Sequence, residues 1–515
     1  MDAQVPEGVK PLRAFFPRTA GARARFLAPA LILVAVCLAY LNSFWGAFQF
    51  DDYNVIVDNG RVHGLAAWLE DLGGIRPLLK LTYTLNWMAG PGPWGFHLAN
   101  LVIHGANGIL AFALSRRLVS DDEDTDVVAG LCPDITWGAR GEGPHLRELV
   151  SGKLREQLIG GSRGSGATGR SPSFMASWVA LAAALVFVLH PVQTEAVTYI
   201  CGRSTSLMTL FYLASMVAYI RSWETASKAW NLFSVLLFLL ACLTKETALT
   251  LPLALLLWER TAGRWEGLKP ALRATSAHWM LLCILCIGLV LHPVQRALLA
   301  TSFSTRSIPL NLLNQVQALG YLLRAWCWPA HLNIDPCLPQ ATHMTWTIAG
   351  MALLLLGLLG LGLFSLRSRP WLGFGLLWFF LHLIPTNSFI PRLDLVNERQ
   401  LYLPSLGLAL VLVSAARSFI HRADLERKAV VMATLLLLTA LGVRTLLRNR
   451  DYRSEIALWR SSVQEAPQNP RAYNNLGYAY LLQGDKAEAK KAFEAALVLD
   501  PGYVKARKNL DWISR

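Results

Sequence analysis

The feature that most narrows what this chain can fold into is a series of apolar runs of roughly 17 to 22 residues, each long enough to cross a hydrocarbon core of about 30 Å. Residues 26–44, 174–190 and 351–366 are the plainest of them. Of 515 residues, 54% are hydrophobic and only 16% charged, which argues against a soluble multidomain enzyme. The formal charge of +14 would suggest nucleic acid in a soluble chain. In a membrane chain, basic residues gather in cytoplasmic loops, and no nucleic-acid motif supports the other reading.

Walking along the sequence places spans near 26–44, 98–114, 174–190, 204–220, 229–243, 247–258, 277–292, 345–366, 371–385, 401–419 and 428–444. The stretch 311–328 decides the parity. Its apolar residues Leu312, Val316, Leu319, Leu323 and Trp326 step by three and four, while Asn314, Gln317, Tyr321 and Arg324 share the other face. That pattern describes a helix at an interface or cavity rather than one ringed by lipid. With about eleven spans, the loops bearing Arg116 and Arg117, Arg221 and Lys228, Arg260, Arg367 and Arg369, and Arg422 and Lys428 all fall inside. The basic segment before residue 26 then reads as a cytoplasmic tail, 1–25, ahead of an uncleaved first span. The C-terminal part falls outside, against which Arg444, Arg448, Arg450 and Arg453 argue.

Within the transmembrane domain, 26–445, residues 45–97 form the first outer loop, and 115–173 read as a flexible cytoplasmic insertion ending in a Gly/Ser-rich tract. Cys283 and Cys286 make a CxxC inside an apolar run and read as small helix-packing residues. Cys201, Cys327 and Cys337 fall outside, where a bridge is open to them. In the tail, 446–515, comparing the chain with itself at a shift of 34 pairs Trp459 with Phe493, Pro467 with Pro501, Ala472 with Ala506 and Asn475 with Asn509. This is the tetratricopeptide period, with Gly477 and Ala489 letting two helices approach. One full repeat is below the roughly three needed for an independent solenoid, so it should lean on the membrane part or on a partner.

Charged side chains beside apolar runs are costly unless paired or hydrated. They gather on the outer side: Asp51 and Asp52 in WGAFQFDDYNVIVDN, Arg76 and Lys80 in IRPLLKLTYTLNW, then His97, Asn100 and His104. Further along come His190, Glu195 and Arg203 in HPVQTEAVTYICGRS, Lys245 and Glu246 in LTKETALTLP, and Arg392, Asp394, Glu398, Arg399 and Tyr402. Carboxylates and cations on one membrane face suit transfer of a sugar from a lipid phosphate to a hydroxyl. A base assists the hydroxyl, and the departing phosphate needs positive charge rather than a proton. Asp51 and Asp52 are the candidate bases, and Arg76, Arg203, Lys245 and Arg399 the candidate phosphate ligands. A helix-end cap is the plain alternative for the aspartates, mutual pairing for Lys245 and Glu246, and interfacial or packing roles for His190 and His104. Adjacent carboxylates also leave a divalent cation open, although two ligands are too few to make a site.

Taken in order, FDD after the first span, RPLLKLTYTLNW, GFHLANLVIHGANGILAFAL, HPVQTEAVTYICGRSTSL, LTKET, NERQLYLPSLG and the repeat are similar to the transmembrane and tetratricopeptide-repeat family. These are GT-C-type O-glycosyltransferases related to the protein O-mannosyltransferases. The resemblance implies an all-α polytopic GT-C fold of about 11 transmembrane helices plus a short repeat domain, with the catalytic carboxylate in the first outer loop and a polyprenyl-phosphate sugar as donor. Asp51 and Asp52 match the acidic motif, with the base between them open. His190, Glu195, Arg203, Lys245, Glu246, Glu398, Arg399 and Tyr402 match outer-face motifs, and His97 is added as a site-lining residue.

The expected function is an inverting glycosyltransferase acting on a protein Ser/Thr or a glycan at the non-cytoplasmic face, in the lipid bilayer and with no nucleic-acid partner. Residue bias points to a bacterial inner membrane, with the active site and repeat on the periplasmic side. The rivals are a membrane-anchored scaffold that holds a protein partner on the repeat, and a transporter. The transporter ranks last, because the halves show no internal symmetry and the charges sit at span ends.

Overall fold

The computed structural model describes residues 20–131, 172–262, 265–423 and 427–513. Most of the expected N-terminal tail, 1–25, and of the insertion, 115–173, lies outside the described residues. The described elements are helical throughout. Each stretch expected to span holds a helix, but the helices differ in kind. Four are long and apolar enough to cross a membrane: Phe26–Trp45, Pro93–Val119, Trp346–Ser368 and Lys428–Arg453. The pairs Ser177–Leu189 with Pro191–Val197 and Leu268–Ala274 with Ser276–Leu291 are bent by 52° and 72°, and counting each as one span gives six. Lys228–Thr244, Pro370–Leu383 and Pro404–Ile420 are apolar but shorter.

The outermost helices turn large apolar side chains away from the protein. Leu353, Leu356 and Phe364 are exposed on Trp346–Ser368, as are Met280, Ile284 and Ile287 on Ser276–Leu291 and Leu435 and Leu436 on Lys428–Arg453. Leaving such a side chain in water costs about 1.5–3 kcal/mol, so these faces suit lipid. Cys283 and Cys286 are exposed on this same surface, so they face outward instead of packing between helices. Cys201, Cys327 and Cys337 are unbridged.

Inside, the first span, Pro93–Leu131, Pro172–Leu189 and Arg203–Glu224 share an apolar core with Leu251–Thr261, Pro370–Leu383 and Pro404–Ala423. Arg117 and Arg221 both pair with Glu224 at 2.9 Å, tying two helices at one end of this bundle. The helix Ile308–Cys327 buries its polar side. Asn311 donates to the Ser388 carbonyl at 2.7 Å, and Gln315 accepts from Asn387 at 2.9 Å, while Leu312 is exposed. The amides of this stretch therefore face protein.

Four helices follow the last long one: Glu455–Glu465, Pro470–Leu482, Lys486–Leu499 and Val504–Ile513. A Cβ on Gly477 would lie 2.7 Å from the Phe493 ring, so the helix pair closes only on glycine there. Trp459, Leu458, Ala472 and Leu476 form one core with Ile56, Tyr83, Phe96 and Tyr199 of the membrane part, so the repeat does lean on it.

Candidate functional site

Where the repeat meets the bundle, a cleft opens between four segments that are distant in sequence. Asp51, Arg76 and Tyr83 come from the first loop region, Cys201 and Thr205 from either side of the start of Arg203–Glu224, and Lys245 and Thr247 from just after Lys228–Thr244. Thr386, Arg392, Asn397, Arg399 and Gln400 come from the loop 384–403. The cleft has a volume of about 160 Å³.

The two adjacent aspartates have different fates. Asp51 lines the cleft and is half-buried, and its backbone N–H donates to the Tyr199 hydroxyl at 3.1 Å. Asp52 is 1% exposed and faces inward, accepting from the Gln49 N–H at 3.0 Å and the Cys201 N–H at 2.8 Å. Burial pushes its carboxyl up to about 7, against the pull of those donors. Asp52 therefore braces the loop that presents Asp51.

Arg76 sits in the left-handed backbone region, at φ 56° and ψ 55°, immediately before Pro77. For a branched-out L residue this costs about 1–2 kcal/mol, and a following proline restricts the residue further. The side chain is fixed by a two-bond pair with Glu246, at 2.7 and 3.2 Å. Burial pushes the Glu246 carboxyl up, and the Arg76 guanidinium overrides it, leaving it at about 2. Lys245 does not pair with Glu246. It donates to Thr205 Oγ1 at 2.7 Å, and burial together with Arg76, Arg399 and Arg392 holds its ammonium well below the usual lysine range. Arg399 lies 3.5 Å from Glu195, which also accepts from the Arg399 N–H at 2.8 Å. Arg392 makes no ion pair among the described residues, and burial lowers its guanidinium. Cations held in one another's field around an open space are arranged to receive an anion.

Several expected site residues stand behind the cleft wall. Arg203 is fully buried, with its guanidinium bonded to Asn100 Oδ1 at 2.6 Å and the Phe96 carbonyl at 2.9 Å and lying 4.9 Å over the Tyr83 ring. Its donors are committed inside the protein, so it is no phosphate ligand. His97 bonds the Gly46 carbonyl at 3.2 Å, fixing the entry to the Asp51 loop. His104 donates from Nε2 to the Val188 carbonyl and accepts at Nδ1 from the Tyr402 hydroxyl at 2.7 Å. Tyr402 is thereby buried among helices rather than exposed to the cleft. His190 donates to the Trp326 carbonyl at 2.8 Å and accepts from the Val192 N–H, the geometry of a helix end. Glu398 is fully buried, accepting from the Asn333 N–H at 2.5 Å and the Tyr321 hydroxyl at 3.0 Å, and burial raises it to about 8. Among the described residues, no three His, Cys, Asp or Glu side chains converge as a metal site.

Sequence reading named Arg392 among the outer charges without giving it a role, and passed over Asn397, Gln400, Thr205 and His382. Arg392 had a signal, standing seven residues before Arg399 in a charged outer segment. Arg448 was read only as a topology charge. It is buried, bonds Asp451 at 2.8 Å and approaches Glu398 at 3.8 Å, while Arg444 donates to the Ala330 carbonyl. These two cations are used internally, which removes them from the argument against an outer tail.

Residues 470–503 match the tetratricopeptide repeat family. The chain is 26% identical to Protein O-mannosyl-transferase TMTC4 of Mus musculus, over 91% of this chain and 66% of that protein. It is 25% identical to Protein O-mannosyl-transferase F38B6.6 of Caenorhabditis elegans, over 93% of this chain and 64% of that one. It is also 25% identical to Protein O-mannosyl-transferase Tmtc3 of Drosophila melanogaster, over 93% and 56% respectively. The chain spans less than two thirds of the length of these curated relatives. All three are animal proteins, so they lend no support to the bacterial expectation. No solved structure matches the chain. The homology and the repeat relate this chain, at the level of a superfamily, to the TMTC-like, GT-C-related proteins.

Proposed function

We propose that the chain is a membrane glycosyltransferase that moves a sugar from a polyprenyl-phosphate donor to a hydroxyl of a protein or glycan at the non-cytoplasmic face. One observation carries this reading: Asp51 faces Arg76, Lys245, Arg392 and Arg399 across a single cleft beside the membrane helices. The relatives named as O-mannosyl-transferases support it in kind, and mannose is the first sugar to try.

In the proposed step, the acceptor hydroxyl oxygen attacks the anomeric carbon while the Asp51 carboxylate takes its proton. The bond from that carbon to the phosphate oxygen breaks, and the electron pair leaves with the lipid phosphate. The leaving group gains a unit of negative charge, which the cleft cations stabilise with little reorganisation. Glu195 and Glu246 orient Arg399 and Arg76 for this purpose. The scaffold reading draws on the repeat match at 470–503, and it predicts that charge changes in the cleft do nothing.

The test is transfer from labelled lipid-linked sugar in membranes. Asp51→Asn should lower the rate about 10²- to 10⁴-fold, the usual contribution of a general base. Asp52→Asn should keep measurable transfer, with its loss showing first in stability. Full activity in Asp51→Asn contradicts the assignment.

A further inference from the structure

The loop 384–403 brings Thr386, Arg392, Asn397, Arg399 and Gln400 to the cleft, yet its only helical element is the short turn Glu398–Leu401. An irregular segment holds charged side chains in register only where outside contacts fix it. Arg306 donates to the Arg392 carbonyl and Asn311 to that of Ser388, and the repeat adds one direct bond to the loop and a second line of contact through 333–335. Arg471, in the first turn of Pro470–Leu482, donates from Nη1 to Asp394 Oδ1 at 2.8 Å and from Nε to Asp335 Oδ2 at 2.7 Å, while its Nη2 closes a second bond to Asp335. Asn469, the cap of the same helix, donates to both the carbonyl and the carboxylate of Asp335 at 3.0 Å. One layer deeper, Ser462 and Asn333 exchange bonds of 2.7 and 3.2 Å, and the Asn333 N–H continues to Glu398. Asp394 stands two residues from Arg392, and Glu398 adjoins Arg399. Both lines of contact therefore end beside a cleft cation.

From this we infer that the repeat braces one wall of the cleft from behind and that Arg471 is a positioning residue for Arg392, acting through Asp394. A guanidinium suits this role because its planar fork serves two carboxylates at once, which a lysine ammonium does not. Asp335 is 8% exposed and anchors the fork, while Asp394, at 42%, is the side that reaches the loop. The inference rests on the glycosyltransferase reading to the extent that the cleft holds the donor phosphate.

The experiment uses the full chain in nanodiscs, with Arg471→Ala, Arg471→Lys and Asp394→Asn. KM for the lipid-linked sugar should rise about three- to tenfold in Arg471→Ala and Asp394→Asn with kcat little changed, as expected when a binding contact is loosened. Arg471→Lys should not restore KM. Hydrogen exchange across 384–403 should quicken in Asp394→Asn while Pro470–Leu482 stays protected, a readout that needs no activity and leaves the repeat intact. A wild-type chain that transfers no sugar contradicts the functional reading, and the exchange measurement then still reads the clamp. An active wild type with unchanged KM or unchanged exchange in Asp394→Asn overturns the inference alone.

Discussion

Two neighbouring aspartates divide the work of this site, and their difference comes from direction rather than chemistry. Asp51 opens on the cations, whereas Asp52 turns inward to two backbone donors. The pair was legible in the sequence as an acidic motif beside a span. Which member faced the cleft was not, because one residue of turn geometry decides it. The same gap explains Arg203, since no local pattern separates a buried guanidinium over an aromatic ring from one facing a substrate. The buried carboxyl has a consequence for pH. A folded-state value of about 7, above the ordinary 3.8, means that the folded protein holds a proton the unfolded chain has released. Stability from Asp52 is thus full below the ordinary carboxylate range and is lost as pH rises toward and through 7. Glu398, raised to about 8, adds the same sign. Between pH 5 and pH 8 the melting temperature in detergent should therefore fall further, or rise less, in the wild type than in Asp52→Asn. An identical pH dependence in the two proteins would place Asp52 outside this account.

At the scale of elements, helices were readable from apolar length and period, while the loop that furnishes most of the cleft's polar wall was not, because 384–403 owes its course to distant partners. Its two flanking helices are held at backbone contact. A Cβ on Gly375 would strike the Gly407 carbonyl, and one on Gly407 would strike that of Gly375. Small residues at such a crossing let main chains approach, as is usual between membrane helices. Pro370–Leu383 and Pro404–Ala423 therefore set the span that the loop must bridge. Gly407→Ala should cost about 1–3 kcal/mol through overpacking. Unfolding by thermal shift should detect it, together with a raised KM for donor; a neutral Gly407→Ala would show that the crossing is slack.

For the whole molecule, repeat and membrane helices are one body at the cleft end, where Trp459 packs 5.2 Å from Phe50 and the Glu455 carboxylate accepts from the Phe50 N–H. The sequence period announced the repeat, and its single full copy announced the need for support. The surface it settles on was not written in any local pattern. Deleting 446–515 should consequently remove activity and also quicken proteolysis of the Asp51 loop, so that deletion alone does not separate scaffold from enzyme. The central claim is that a lipid phosphate rests among Arg76, Lys245, Arg392 and Arg399 with Asp51 opposite. The most direct measurement is an experimental structure of the full chain in a bilayer supplemented with polyprenyl phosphate. The account predicts phosphate density touching Lys245 and Arg392, with the lipid tail leaving toward the membrane helices. Phosphate density bound elsewhere, with that cleft empty, would contradict it.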